Sequence, residues 1–184
     1  MAKFPILGKV KTRLAKDLGD DKALEIYIQL LQKTISSVEK FLGEKYIFFD
    51  TYPKPLAYID SEKFCIRQQS DGDLGNRMKQ AFIDIQKENS YSIIIGSDCP
   101  NLSVTHLEQA LESLSQNDYV IGPAIDGGYY LLGLKKITPE IFDLKAWSHD
   151  KVMEDTIKII EQTGSTYLLL EKLKDVDTVE DLFC

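Results

Sequence analysis

Three basic residues lie in a short glycine-containing segment near the start of the chain. This basic segment spans residues 8–14 and has the sequence GKVKTRL. A diphosphate is held by cationic groups and backbone N–H donors, with lysine as a point charge and arginine as a fork that grips two oxygens. The segment lacks the Walker spacing of a P-loop, and a solvated basic surface is the alternative interpretation. The functional interpretation predicts a phosphate site formed by Gly8, Lys9, Lys11, Thr12 and Arg13.

Acidic residues follow two of the predicted strands. Asp98 comes directly after a strongly apolar segment, and Asp175 and Asp177 flank one valine beyond the last apolar segment. Carboxylates at strand ends commonly hold Mg²⁺ or Mn²⁺ against phosphate oxygens, and residues two apart on an extended segment point the same way. We predict Asp98 as a metal ligand and one of the other two as its partner. The alternatives are a helix cap or an Asx turn at Asp98, and a final helix that is capped by Asp177 or Thr178.

A third acidic residue, Asp126, stands in the turn Asp126-Gly127-Gly128. Asp-Gly is a common hairpin turn, which is the structural interpretation. In the functional interpretation Asp126 orients the acceptor or acts as a base, and the glycines let a substrate approach the backbone. The acceptor site would then include Gly127, Gly128, Tyr129 and Trp147, although the only tryptophan also suits a core.

A further polar loop, Gly72-Asp73-Leu74-Gly75, precedes a helix that has Arg77 in its first turn. One interpretation is a simple loop and helix start. The other is a loop that contacts the nucleotide through Gly72, Asp73, Gly75 and Arg77.

Alternating strands and helices must position these loops. The pattern predicts helices at 20–41, 103–115 and 149–162, a helix through Met78, Phe82 and Ile85, and a last short helix after Asp177. It predicts strands at 46–49, 64–66, 91–96, 119–121, 129–132 and 167–170. Such alternation indicates an α/β fold with a mostly parallel sheet, and the Asp-Gly-Gly turn adds an antiparallel pair. Ligands bind at the carboxyl ends of strands in such sheets, where the polar loops fall.

The length and the net charge of the chain limit the kinds of protein that it could be. The 184 residues suit one domain, 1–184, and the net charge of −7 argues against broad nucleic-acid binding. We see no apolar run long enough to span a bilayer and no signal peptide. Three widely spaced cysteines form no metal or disulfide pattern, which favours a reducing cytoplasm.

Six ordered motifs together resemble the bacterial DUF2064 family, also described as cofC-like glycosyltransferases. They are Lys3-Phe4-Pro5, the basic segment 8–14, Gly72 to Met78, Ile95 to Pro100, Gly122 to Leu131, and Asp175-Val176-Asp177-Thr178-Val179-Glu180-Asp181-Leu182. The family is similar to 2-phospho-L-lactate guanylyltransferase, which shares the Lys-Thr/Ser-Arg-Leu element and the Asp-Val-Asp-Thr ending. The resemblance covers nearly the whole chain.

The resemblance implies a fold and a division of roles. The fold would be the three-layer α/β/α sandwich of the nucleotide-diphospho-sugar transferases, called GT-A, with a mixed sheet. Lys11 and Arg13 would hold phosphates during catalysis, Asp98 would bind Mg²⁺ or Mn²⁺, Asp177 or Asp175 would complete the metal site, and Asp126 would face the acceptor.

The start of this sequence departs from the family pattern, at the place where the first strand of the sheet is expected. Relatives carry an apolar strand before the Lys3-Phe4-Pro5 element, whereas this sequence begins at Met1-Ala2. We therefore expect that first family strand to be missing. A missing strand could expose a sheet edge that pairs with another chain, so a homodimer is a possible assembly.

Two enzymatic reactions and one binding role fit these residues. The first is a metal-dependent glycosyltransferase that uses a nucleotide-sugar donor and a small-molecule acceptor. The second is a nucleotidyltransferase, in which a substrate phosphate attacks a nucleoside triphosphate and pyrophosphate leaves. The third is a non-catalytic nucleotide-binding protein. Both reactions need a charge clamp on a diphosphate, so the same residues serve either one.

Overall fold

The computed structural model describes residues 1–86, 91–144, 147 and 150–183. Its helices and strands confirm the predicted α/β class with a mixed sheet. Over the described residues the regular elements are α1 (Thr12–Leu18), α2 (Asp20–Glu39), β1 (Tyr46–Phe49), β2 (Cys65–Gln68), α3 (Leu74–Gln86), β3 (Ser92–Ile95), α4 (Val104–Gln116), β4 (Tyr119–Pro123), β5 (Tyr129–Leu134), α5 (Val152–Gln162) and β6 (Tyr167–Leu169). Short 3-10 helices occupy Pro139–Phe142 and Val179–Phe183.

The chain divides into two compact units. The first contains residues 1–68, 96–104 and 174–184, and the second contains residues 69–95 and 105–173. The first unit therefore consists of three separate stretches of sequence. These stretches contain the basic segment, the loop with Asp98 and the loop with Asp177.

Parallel pairing organises the strands of the first unit. Tyr46 of β1 lies opposite Cys65 of β2, and Phe49 lies opposite Gln68. Ala2 adds an isolated parallel bridge to Phe49, with its N–H donating to the Phe48 carbonyl at 3.0 Å. In the described chain Ala2 makes this bridge alone, at the place where the resemblance implies a first strand. The chain leaves the sheet there and enters the basic segment.

Helix α2 forms the main helical layer of the first unit. Asp20 and Asp21 stand in its first turn, where negative charge is favourable. The predicted helix is confirmed. The spacing of its apolar residues predicts a buried stripe of Leu24, Ile28, Leu31, Ile35 and Val38, and the observed buried face is rotated from that stripe. The buried residues are Ala23, Tyr27, Leu30, Leu31, Thr34 and Ile35. The rotation arises because the helix packs against two clusters at once, one around β1 and one around Leu14 of α1.

A four-stranded sheet organises the second unit, in the order β3-β5-β4-β6. β5 pairs antiparallel with both β3 and β4, and β4 pairs parallel with β6. The antiparallel pair predicted from the Asp-Gly-Gly turn is therefore confirmed. The central strands are almost fully buried, whereas Leu168 and Leu169 of β6 are 40% and 44% exposed, because β6 is the last strand in this order.

No helix within the described ranges combines the length and the apolar character needed to cross a membrane. Cys65 is exposed and Cys99 is buried. Cys184 lies outside the described residues.

Candidate functional site

Lys11 lies at the centre of a charge cluster in the first unit. Its Nζ atom is 2.9 Å from Asp177 Oδ1 and 3.1 Å from Asp98 Oδ1. The lysine side chain is 5% exposed, whereas the side chains of Asp98 and Asp177 are 43% and 38% exposed. The structure therefore brings together three predicted site residues that lie far apart in the sequence.

The two carboxylates determine the charge state of Lys11. Burial alone would lower the pKa of its ammonium group. The negative charges of Asp98 and Asp177 outweigh burial and raise the pKa above its ordinary value. Lys11 is therefore cationic at neutral pH.

The backbone at Lys11 is unusual for a residue with a side chain. Its φ of 45° and ψ of 47° place it in the left-handed region, where it precedes the first residue of α1. This conformation costs about 1–2 kcal/mol for an L-residue, and such strain concentrates at functional sites. The basic segment 8–14 thus becomes helical at Thr12.

Arg13 extends the charge cluster. Its Nη1 atom is 3.3 Å from Asp177 Oδ2, and its side chain is 71% exposed. Thr12 and Lys9 are also exposed, and Gly8 adopts a φ of 72° in the turn before them. These predicted phosphate-binding residues share one short segment, and the exposed Arg13 guanidinium can reach an anion.

The loops that carry the two acids are tied to each other. The Val176 N–H donates to the Asp98 carbonyl at 3.0 Å, and the Cys99 thiol hydrogen-bonds the Asp175 carboxylate. Ser97 Oγ lies 3.4 Å from Asp98 Oδ1. The pair of loops therefore holds Asp98 and Asp177 on either side of Lys11.

Tyr27 of α2 supports the start of the basic segment. Its buried hydroxyl donates to the Lys3 carbonyl at 2.7 Å, and burial raises its pKa. The Phe4 N–H donates to Asp50 Oδ1 at 2.7 Å, just after β1. Nothing in the spacing of the sequence indicated these two supports.

Asp181 stabilises the backbone of the site. This role was not predicted from the sequence. Its Oδ2 atom accepts hydrogen bonds from the N–H groups of Thr178 at 2.8 Å and Asp177 at 3.0 Å, and its Oδ1 atom is 3.0 Å from Lys174 Nζ. Burial would raise the pKa of Asp181, but these donors hold it well below its usual range. The spacing Thr178-x-x-Asp181 resembles a capping box, which was the available signal. Asp181 therefore holds the backbone at Asp177, whose carboxylate contacts Lys11.

We expect Asp181→Asn to lower the free energy of unfolding by about 0.5–2 kcal/mol at pH 7, the usual range for a helix cap. A carboxyl group with a depressed folded-state pKa stabilises the protein above its unfolded pKa of about 3.9. This contribution is lost as the pH falls towards the folded-state pKa. Urea unfolding at pH 7 and pH 3 should therefore show a smaller difference from wild type at pH 3. An undiminished difference at pH 3 would contradict the assignment, and the exposed Glu112→Gln is the control.

The glycine loop before α3 lies in the second unit and has clear structural roles. Asp73 Oδ1 accepts the Asn76 N–H at 2.8 Å, as a helix N-cap does, and Arg77 Nε donates to the Gly72 carbonyl at 2.9 Å. A Cβ on Gly75 would lie 2.5 Å from the Trp147 ring. Gly75 is therefore required for packing, and Trp147 packs against it. Nucleotide contact by this loop remains a prediction.

The Asp126 turn, also in the second unit, forms the predicted hairpin. Asp126 Oδ1 accepts the Gly128 N–H at 2.9 Å, which is an Asx turn. Gly127 has a φ of 91°, and a Cβ there would lie 1.9 Å from the Asp150 carbonyl oxygen. The Tyr129 hydroxyl is buried, which raises its pKa. The structural interpretation of this turn holds, and the acceptor role of these residues stays a prediction.

Asp98 and Asp177 offer a donor set that fits Mg²⁺ or Mn²⁺. Their Oδ1 atoms converge on one cationic atom, Lys11 Nζ. Mg²⁺ at phosphate sites is usually held by one or two carboxylates, with water and phosphate oxygens completing its shell. The described part of the chain contains no group of three or more His, Cys, Asp or Glu that could hold a metal. A metal at this position would thus take its other ligands from water and substrate.

One known protein family matches the sequence of this chain. Residues 35–149, more than half of the chain, match the family described as "Uncharacterized protein conserved in bacteria (DUF2064)". The chain belongs to the DUF2064 family. The predicted resemblance is therefore confirmed, and the matched residues include Asp98 and the two glycine turns.

Three relatives resemble this DUF2064 chain over nearly its whole length. The 2-phospho-L-lactate guanylyltransferase of Methanocaldococcus vulcanius is 27% identical, covering 96% of this chain and 78% of the relative. The enzyme of the same name from Methanocaldococcus jannaschii is 26% identical over 96% of this chain and 76% of the relative. A crystal structure from Desulfovibrio desulfuricans G20, described as a nucleotide-diphospho-sugar transferase, superposes with a TM-score of 0.91. It is 32% identical and covers 98% of this chain and 81% of that one.

These relatives establish the class of the DUF2064 chain. Its fold is that of the nucleotide-diphospho-sugar transferases, and it is a transferase. The expectation of an enzyme is therefore confirmed, and a role limited to non-catalytic binding is not supported.

Proposed function

We propose that this protein is a nucleotidyltransferase that joins a nucleoside monophosphate unit to a small phosphorylated acceptor and releases pyrophosphate. The observation that carries the proposal is the buried Lys11 ammonium between Asp98 and Asp177, with Arg13 beside it. The similarity to guanylyltransferases over 96% of the chain supports nucleotidyl transfer better than the glycosyl transfer that the sequence placed first. Guanine is accordingly the first base to test.

The reaction balances as a substitution at phosphorus. An oxygen of the acceptor phosphate attacks the α-phosphorus of the nucleoside triphosphate. The bond from the α-phosphorus to the oxygen that bridges to the β-phosphorus breaks, and inorganic pyrophosphate carries the electron pair away. The product contains a new phosphorus–oxygen–phosphorus linkage.

The residues of the first unit would bind and orient the phosphates. Lys11 and Arg13 would neutralise the negative charge that accumulates on the departing pyrophosphate, and the Gly8–Lys9 turn would flank them. Asp98 and Asp177 would hold Mg²⁺ or Mn²⁺, which supplies Lewis-acid stabilisation of phosphate oxygens when bound. Asp126 is retained as the candidate that orients the acceptor.

A second function has one specific observation in its favour. The Desulfovibrio relative, at 32% identity, is described as a nucleotide-diphospho-sugar transferase. Glycosyl transfer would use the same cations to stabilise a departing nucleoside diphosphate. The identity of the released product therefore separates the two functions.

The test presents purified protein with Mg²⁺ or Mn²⁺ and two parallel substrate panels. One panel combines each nucleoside triphosphate with phosphorylated hydroxy acids, including 2-phospho-L-lactate. The other combines nucleotide sugars with small acceptor alcohols. We expect pyrophosphate release from the first panel, with GTP preferred, and no acceptor-dependent nucleoside diphosphate from the second. Nucleoside diphosphate release alone would favour glycosyl transfer.

A matched pair of lysine variants links the activity to the site. We expect Lys11→Met to lower kcat/KM by about 10²–10³-fold, because the charge clamp on pyrophosphate is removed. Lys33→Met removes an exposed lysine from α2 in the same unit and should leave activity unchanged. Equal activity in both variants would remove Lys11 from the mechanism.

A further inference from the structure

Three carboxylate oxygens of the charge cluster already face cations that the protein itself supplies. Lys11 Nζ lies 2.9 Å from Asp177 Oδ1 and 3.1 Å from Asp98 Oδ1. Arg13 Nη1 lies 3.3 Å from Asp177 Oδ2. Both oxygens of Asp177 are thus engaged before any substrate is present.

A divalent ion would compete with Lys11 for the same position. Mg²⁺ binds carboxylate oxygens at about 2.0–2.1 Å. Both Oδ1 atoms already lie within 3.1 Å of Lys11 Nζ, so a divalent ion held by these two carboxylates would be repelled by the ammonium charge beside them. Because the lysine side chain is only 5% exposed, dissolved salt screens this repulsion less than it would between two surface charges. The ammonium group therefore opposes metal binding by these two carboxylates.

Charge balance indicates what resolves the competition. The two carboxylates, Lys11 and Arg13 sum to zero, so the free cluster attracts a divalent ion weakly. A polyphosphate offers Lys11 and Arg13 alternative anionic partners. Once they turn to phosphate, the carboxylates carry two uncompensated negative charges, which match one Mg²⁺.

We propose that Lys11 is a built-in cation that keeps free divalent metal out of the Asp98–Asp177 site until a nucleoside polyphosphate draws its ammonium group away. The ligand of the site is therefore a metal–polyphosphate complex and not the metal alone. This inference rests on the proposed function for the identity of the polyphosphate, but the competition itself depends only on the three side chains. The backbone of Lys11 stays at the start of α1 while its long side chain changes partner.

The test measures Mn²⁺ binding in the absence of nucleotide, by electron paramagnetic resonance of the free ion. We expect weak binding by wild type and by the control Lys33→Met. Lys11→Met should lower the dissociation constant for Mn²⁺ at least tenfold, and adding Asp98→Asn to that variant should reverse the gain. A dissociation constant for Lys11→Met within twofold of wild type would overturn the proposal.

Folding controls keep the result decisive. Circular dichroism checks each variant, and Lys11→Gln, which is neutral but keeps a hydrogen-bond donor, replaces Lys11→Met if that variant is unfolded. Mn²⁺ should raise the melting temperature of the folded Lys11 variant and leave that of wild type unchanged. If neither variant folds, the wild-type measurement decides: micromolar Mn²⁺ binding without nucleotide overturns the proposal, and binding in the millimolar range supports it.

The outcomes separate this inference from the proposed function. Pyrophosphate release by wild type with no gain of Mn²⁺ affinity in Lys11→Met refutes the metal exclusion and leaves the reaction intact. A gain of Mn²⁺ affinity without any nucleotidyl transfer by wild type supports the exclusion and refutes the proposed reaction.

Discussion

Replacing Asp98 with asparagine should lower the rate of nucleotidyl transfer by about 10²–10³-fold, because it removes a negative charge that would hold Mg²⁺ against the substrate phosphates. The substitution keeps the size of the side chain. It also keeps the backbone carbonyl that accepts the Val176 N–H at 3.0 Å. The loss should therefore appear in kcat and in the metal concentration needed for activity, with little change in fold.

The control for Asp98→Asn is Asp21→Asn, which removes an exposed carboxylate from the first turn of α2 in the same unit. We expect it to retain wild-type activity. Steady-state rates over a range of Mg²⁺ concentrations compare the two variants. Undiminished activity and unchanged metal requirement in Asp98→Asn would show that this carboxylate is not a metal ligand.

Replacing Gly127 with alanine should lower the free energy of unfolding by about 3 kcal/mol, the sum of two costs. The left-handed φ of 91° costs an alanine about 1–2 kcal/mol. The new Cβ would also lie 1.9 Å from the Asp150 carbonyl oxygen, a backbone atom that cannot move aside without shifting the chain ahead of α5. Overpacking of this kind typically costs a further ~1–3 kcal/mol. Denaturant unfolding of the purified variant measures the sum.

Gly164→Ala separates the two contributions to that loss. Gly164 has a φ of 70°, and a Cβ there would meet nothing within 4 Å. It should therefore show only the conformational cost of about 1–2 kcal/mol. Equal destabilisation by the two substitutions would mean that the close approach to Asp150 does not constrain the turn.

Local patterns in the sequence predicted most of the regular elements, because burial on one face of a helix or strand leaves a periodic signature. Helix α2 and the Asp-Gly-Gly hairpin are examples. Helix α1 was not predicted, since its seven residues carry little periodicity of their own. It is held by Leu14, which packs with Ala23, Leu30 and Val176 from other parts of the first unit.

The candidate site could be predicted by residue type but not by geometry. Asp98, Asp177 and Lys11 were selected because carboxylates and lysines suit metal and phosphate. Their convergence joins residues 166 positions apart, which no local pattern reveals. The left-handed backbone of Lys11 was equally hidden, because its sequence neighbours do not require it.

Some glycines were assigned chemistry where packing gives a sufficient reason. Gly75 was predicted to contact a nucleotide, yet a Cβ there would lie 2.3 Å from the Phe142 carbonyl oxygen. A glycine that is required for close packing cannot be distinguished in a sequence from a glycine that is required for ligand binding. Only the neighbours in space distinguish the two roles.

Phosphorus-31 NMR of one reaction mixture tests the central claim most directly. The mixture contains the protein, Mg²⁺, GTP and 2-phospho-L-lactate. We predict equal amounts of inorganic pyrophosphate and a new diphosphate-linked product, and neither should form when the phosphorylated acceptor is omitted. Unchanged GTP in this mixture, together with nucleoside diphosphate released from a nucleotide sugar by the same preparation, would contradict nucleotidyl transfer.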